Sequence, residues 1–87
     1  MRNSVTVYNL GDLMKAVEDG EPLIYPHAEA KAILCHFFFP DYINSHYAGA
    51  VKILISHYYY EVMRMYHLID DNYELHLFGG HIELDLY

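Results

Sequence analysis

The spacing of apolar residues changes character several times along the chain, and each change marks an element. The opening run SVTVY alternates β-branched and other residues, which predicts a short strand. After Asn9 the period lengthens. Leu10, Leu13, Met14 and Val17 recur at spacings of three and four, predicting a helix from about Leu10 to Asp19 with Lys15, Glu18 and Asp19 on its wet side. Asn9 offers a side-chain acceptor to the free N–H groups of that helix, Asp12 suits its first turn, and Gly20 ends it.

The segment EPLIYP is expected to be extended or looped, because the residue before a proline is pushed out of helical angles. A second helix is predicted from about His27 to Phe39, with Ala30, Ile33, Leu34, Phe37 and Phe38 on its apolar face and Pro40 as its stop. After PDYINS, one long third helix is predicted from about His46 to Ile69, with Asn44 or Ser45 as its cap. Its stripe is Val51, Ile55, Tyr58, Val62, Met65 and Ile69, widened by Leu54 and Tyr66. Ile53, Tyr59, Tyr60 and Met63 fall outside that stripe. A helix apolar around so much of its circumference is expected to be central, wrapped by other elements or packed against a second copy in a homodimer.

The last segment, NYELHLFGGHIELDLY, alternates with period two on both sides of Gly79 and Gly80, which predicts an antiparallel hairpin. A two-residue turn there pairs Phe78 with His81, His76 with Glu83, Glu74 with Asp85 and Tyr73 with Leu86. One face then holds Tyr73, Leu75, Leu77, Ile82, Leu84 and Leu86 and must pack on helices. The other holds Glu74, His76, Phe78, His81, Glu83, Asp85 and Tyr87. The expected fold is a single α+β domain over 1–87. In it about three helices, the third long and central, pack on a small antiparallel sheet made of the hairpin, with the N-terminal strand as a candidate addition.

Composition supports a folded chain: 54% of its 87 residues are hydrophobic and only 20% are charged. A lone cysteine, Cys35, excludes an intrachain disulfide and points to a reducing, cytoplasmic setting. Within AKAILCHFFF it reads as a small buried apolar group. The N-terminal residues lack the apolar core of a signal peptide, so export is not expected. The run AGAVKILISHYYYEVMRMYHLI is long enough to span a bilayer, but Lys52, His57, Glu61, Arg64 and His67 mark it as protein-packed.

Charge narrows the partner. Twelve acidic residues against five basic ones give a net charge of −7, a field that repels phosphate backbones and attracts basic surfaces. Direct nucleic-acid binding and membrane binding are therefore not expected. The acids Asp70, Asp71, Glu74, Glu83 and Asp85 lie in a C-terminal stretch without Lys or Arg.

Catalytic chemistry has little to stand on in the sequence. No GxSxG, phosphate-binding glycine loop, HExxH or CxxC pattern occurs, and Ser4, Ser45 and Ser56 have no local base partner. No cofactor is expected. His76, His81 and Glu83 share one hairpin face and form a candidate metal set, read first as surface histidines hydrogen-bonded to a glutamate. The other histidines, His27, His36, His46, His57 and His67, share no helical face. A small enzyme assembled from His36, His67 and Asp70 would require a pocket holding at least two of them.

Ten tyrosines and no tryptophan complete the picture; Tyr58, Tyr59 and Tyr60 point about 100° apart on a helix, so they cannot all be core. Tyr supplies broad contact area with a polar tip, as interfaces favour. The expectation is a non-enzymatic interaction module. Its contact residues would be Glu74, Asp85, Glu83, Asp70, Asp71, Tyr87 and Phe78. Its partner would be a protein with a basic surface, in the sharpest form a nucleic-acid-binding protein or nuclease whose phosphate groove the acids fill. At class level this profile fits small inhibitors made by phages and mobile elements against host defence nucleases, including those of CRISPR systems. The alternative is a metal- or pH-responsive regulatory domain built on the histidines.

Overall fold

The computed structural model describes residues 3–42 and 45–87. The chain starts with β1 (Ser4–Val7) and α1 (Leu10–Glu18). The Asp12 backbone N–H donates to Asn9 Oδ1 at 2.8 Å, the cap expected from the sequence. At its other end Gly20, with φ of 70°, donates its N–H to the Val17 carbonyl, and Glu21 donates to the Ala16 carbonyl. These two bonds form the glycine stop known as a Schellman motif.

The segment expected to be extended or looped is a strand, β2 (Leu23–Pro26), lying beside β1 in parallel. Its two prolines hid it, since a proline argues against an interior strand. The structure avoids that conflict by position. Antiparallel pairing of β2 with the last strand is registered only at Leu23 and Ile24, so Pro26 lies past the end of that ladder. On the other side the His27 N–H resumes bonding, donating to the Val7 carbonyl.

Next comes α2 (Ala28–Phe38), then a 3-10 turn at Pro40–Tyr42. The candidate cap Asn44 lies outside the described residues. The expected single long helix is two helices, α3 (Ser45–His57) and α4 (Tyr59–Asn72), so the helices number four among the described residues. The break is at Tyr58, whose φ of −120° and ψ of 39° are not helical. Continued as one rod, residues 45–72 would measure about 42 Å at 1.5 Å per residue. The long axis of the molecule is 37 Å. Turning at Tyr58 brings Val51 on one helix and Val62, Met65 and Ile69 on the other into the same core, and leaves Tyr58, 49% exposed, at the outer corner. Tyr66 of α4 stacks on Phe38 of α2, centroids 5.1 Å apart.

The chain closes with β3 (Tyr73–Phe78) and β4 (His81–Leu86), paired in the register expected from the double glycine. Gly79 and Gly80 have φ of 51° and 86°, the positive values that a tight hairpin turn of the primed type requires. The sheet has four strands in the order β1-β2-β4-β3, mixed rather than purely antiparallel.

Alternation assigns the faces. Val7, Ile24, Tyr73, Ile82 and Leu84 are buried on one side with Leu13, Ile33, Leu34, Val51, Val62 and Ile69 of the helices, in a single core cluster with Cys35, and Pro26 is buried as well. A shortest dimension of 19 Å accommodates one helical layer on one sheet, which leaves the second face of the sheet without helical cover among the described residues. No helix among the described residues is long and apolar enough to cross a membrane.

Candidate functional site

The outer face of the sheet is a set of rows set by strand register. One row is Ser4, Leu23, Asp85 and Glu74, each paired with the next. In the neighbouring row Thr6 pairs with Tyr25, and Glu83 pairs with His76. Tyr25 stands beside both pairs, close enough to Glu83 and Asp85 for their carboxylates to act on its hydroxyl. His81 and Phe78, paired beside the turn, complete the face. None of the described residues named on this face is Lys or Arg.

The electrostatics follow from that composition. Glu74 stands directly opposite Asp85, a placement that costs a hairpin about 0.2–1 kcal/mol relative to an opposite-charge pair. Partial burial first, then the neighbouring Glu83 carboxylate, then the charge of Asp85 push the Tyr25 hydroxyl above its ordinary pKa. The phenol therefore stays a proton donor well into the alkaline range. His76 Nε2 is 3.8 Å from Glu74 Oε2, and its ring stacks on Phe78 with centroids 5.6 Å apart and planes 12° apart.

His76, Glu83 and Asp85 converge: each offers a donor atom, and these atoms lie within 4.8 Å of one another. All three side chains are partly buried. Asp85 stands where His81 is expected in the candidate metal set. His81 is exposed, beside the turn, and is not a member of this group. Tyr25 is the residue of this site that sequence reasoning missed, because its segment is expected only to be extended or looped and is given no partner strand. The signal was present in LIYP, whose alternate residues face opposite sides of the sheet.

The remaining expected contacts are distributed around this face. Phe78 is 59% exposed and Tyr87 81% exposed. Tyr87 is held at the base of the hairpin, where its N–H donates to the Asn72 carbonyl at 3.0 Å. Asp70 and Asp71 are exposed in the last turn of α4, in the helical layer rather than on the strand face. His36 is half-buried on α2, while His67 and Asp70 are exposed on α4. A shallow groove between β1 and α1, lined by Val5, Val7, Asp12, Lys15, Ala16, Asp19 and Glu21, contains none of these three.

No family model matches this chain, and no curated protein or solved structure matches it.

Proposed function

We propose that this chain is a non-enzymatic protein–protein interaction module that docks through the outer face of its sheet onto a basic surface of a partner protein. The observation that carries the reading is the gathering of Glu74, Glu83 and Asp85 beside His76 and Phe78, on a face with no helix over it. A negative patch flanked by aromatic rings complements a surface rich in Arg and Lys, where it speeds encounter and selects the partner.

In its sharpest form the partner is a nucleic-acid-binding protein or nuclease, and the carboxylates occupy positions that phosphates fill in its groove. Inhibition of a host defence nuclease is the role this chemistry suits. Glu74, Glu83, Asp85 and Phe78 form the centre of the contact; Tyr87, Asp70 and Asp71 lie at its rim.

Capture from the source lysate at low and high salt, in the presence of a chelator, tests the proposal against a Glu74→Lys/Asp85→Lys double variant. The wild-type chain should retain a partner at low salt and lose it at high salt, and duplex nucleic acid should compete. A partner retained equally well by the double variant removes this surface from the interaction.

A further inference from the structure

We infer that the same sheet face carries a divalent transition-metal site formed by His76, Glu83 and Asp85, suited to Zn²⁺ or Mn²⁺. The site does not depend on the partner reading, since it belongs to the isolated chain.

Three observations combine. The first is convergence: His76 on β3 stands directly across from Glu83 on β4, Asp85 follows two positions on along the same face, and the three donor atoms lie within 4.8 Å of one another. Zinc bound at about 2.0–2.2 Å by nitrogen and oxygen in tetrahedral geometry sets its ligands about 3.3–3.5 Å apart. Side-chain rotations of about 1 Å at each donor are enough to close the group, and the backbone pairing need not move.

The second is support from neighbouring groups. The Tyr25 hydroxyl lies beside the Glu83 carboxylate, where it can steady it, and the stacked Phe78 ring restricts the His76 imidazole. Such outer contacts hold ligands in orientation and are typical of metal centres. The third is charge. Glu74 adds another carboxylate, 3.8 Å from His76 Nε2, so three acids and an imidazole crowd two short strands. A dication there is attracted by all three carboxylates.

The donor set selects the metal class. One imidazole with two carboxylates is too oxygen-rich for Cu(I) and has a nitrogen that Mg²⁺ and Ca²⁺ do not favour. Three protein donors leave at least one coordination position for water or for a side chain of a bound protein.

The test uses the untagged full-length chain, stripped with chelator and exchanged into metal-free buffer, and titrated calorimetrically with Zn²⁺ and with Mn²⁺. One equivalent should bind. His76→Ala should weaken binding about tenfold or more. Glu83→Gln and Asp85→Asn should weaken it as well, whereas His81→Ala should leave it unchanged. If His76→Ala does not fold, the wild-type chain decides by amide NMR, where addition of Zn²⁺ should move the signals of residues 76, 83 and 85 first. The inference is overturned by the absence of saturable binding, by unaltered affinity in folded His76→Ala, or by signals that move first around other histidines. None of those outcomes bears on partner capture, which is measured with chelator present.

Discussion

The backbone N–H of Leu10 donates to the Glu29 carboxylate at 2.9 Å, so a side chain of the second helix satisfies the first free donor of the first. Helix N-termini carry unpaired N–H groups and partial positive charge, and a half-buried carboxylate answers both. Asn9 serves the same first turn, accepting from the Asp12 N–H.

Glu29→Ala should accordingly cost about 1–2 kcal/mol in urea unfolding, the range for a hydrogen bond to a charged group together with its helix-dipole contribution. Glu29→Gln keeps an acceptor and should lose less. Equal stability of wild type and Glu29→Ala would show that the carboxylate is replaced by water at no cost.

Ala28 opens the second helix with φ of 51°, in the left-handed region where a Cβ is strained by about 1–2 kcal/mol. Its side chain is exposed, so little packing is lost by removing the methyl group. Ala28→Gly should therefore stabilise the protein by up to about 1 kcal/mol after the extra entropy of glycine in the unfolded chain is counted. A lower midpoint for the glycine variant in thermal unfolding would contradict this.

Tyr73, buried at the start of β3, donates its hydroxyl to the Glu21 carbonyl at 2.6 Å. Tyr73→Phe should cost about 1 kcal/mol at neutral pH. Burial, and then the charge of Glu21, raise the Tyr73 pKa above its ordinary value near 10. The folded state thus holds this proton more tightly than the unfolded chain does. Its contribution is complete below pH about 10 and is lost as pH rises through that value and beyond. The gap in stability between wild type and Tyr73→Phe should narrow from pH 8 to pH 11; a constant gap in denaturant titrations would refute the assignment.

Cys35 is 3% exposed, and burial raises its thiol pKa, only partly offset by the charge of Lys31. Because the thiolate is the reactive form, native Cys35 should react with a disulfide reagent at pH 8 far more slowly than the urea-unfolded chain. Labelling of the folded protein at the rate of a free thiol would mean that α2 opens readily.

Glu74→Lys turns a like-charge pair with Asp85 into an opposite one and should stabilise the hairpin by about 0.2–1 kcal/mol. If the carboxylates serve binding, the same change should weaken partner retention. A variant that gains stability and keeps its partner would disconnect Glu74 from recognition.

Much of this architecture was legible in the residues, for reasons that differ by element. The hairpin register was fixed by Gly79 and Gly80, because side chains alternate and one face had to be apolar. The ends of α1 and α2 were marked by Asn9, Gly20 and Pro40, whose effects are local. The break at Tyr58 was hidden because Val51 and Ile55 before it and Val62, Met65 and Ile69 after it keep a helical phase straight through the corner. What forces the turn is the size of the core, a tertiary constraint that no local spacing expresses. β2 was obscured by Pro22 and Pro26, and with it the position of Tyr25. At the site, the His76–Glu83 pairing followed from the turn, but the choice of Asp85 over His81 as third donor depends on how side chains lean along the strand.

The order β1-β2-β4-β3 puts the final strand between two elements that meet nowhere else in the sheet. The hairpin is zipped by six registered pairs, whereas β2 and β4 share two, at Leu23 with Asp85 and Ile24 with Leu84, helped by a 2.9 Å bond from the Leu86 N–H to the Pro22 carbonyl. A seam that short joins partners far apart in the chain and yields before the tight local hairpin does. Asp85 lies on it, so the carboxylate that the hairpin offers to a ligand stands where the two halves of the sheet meet.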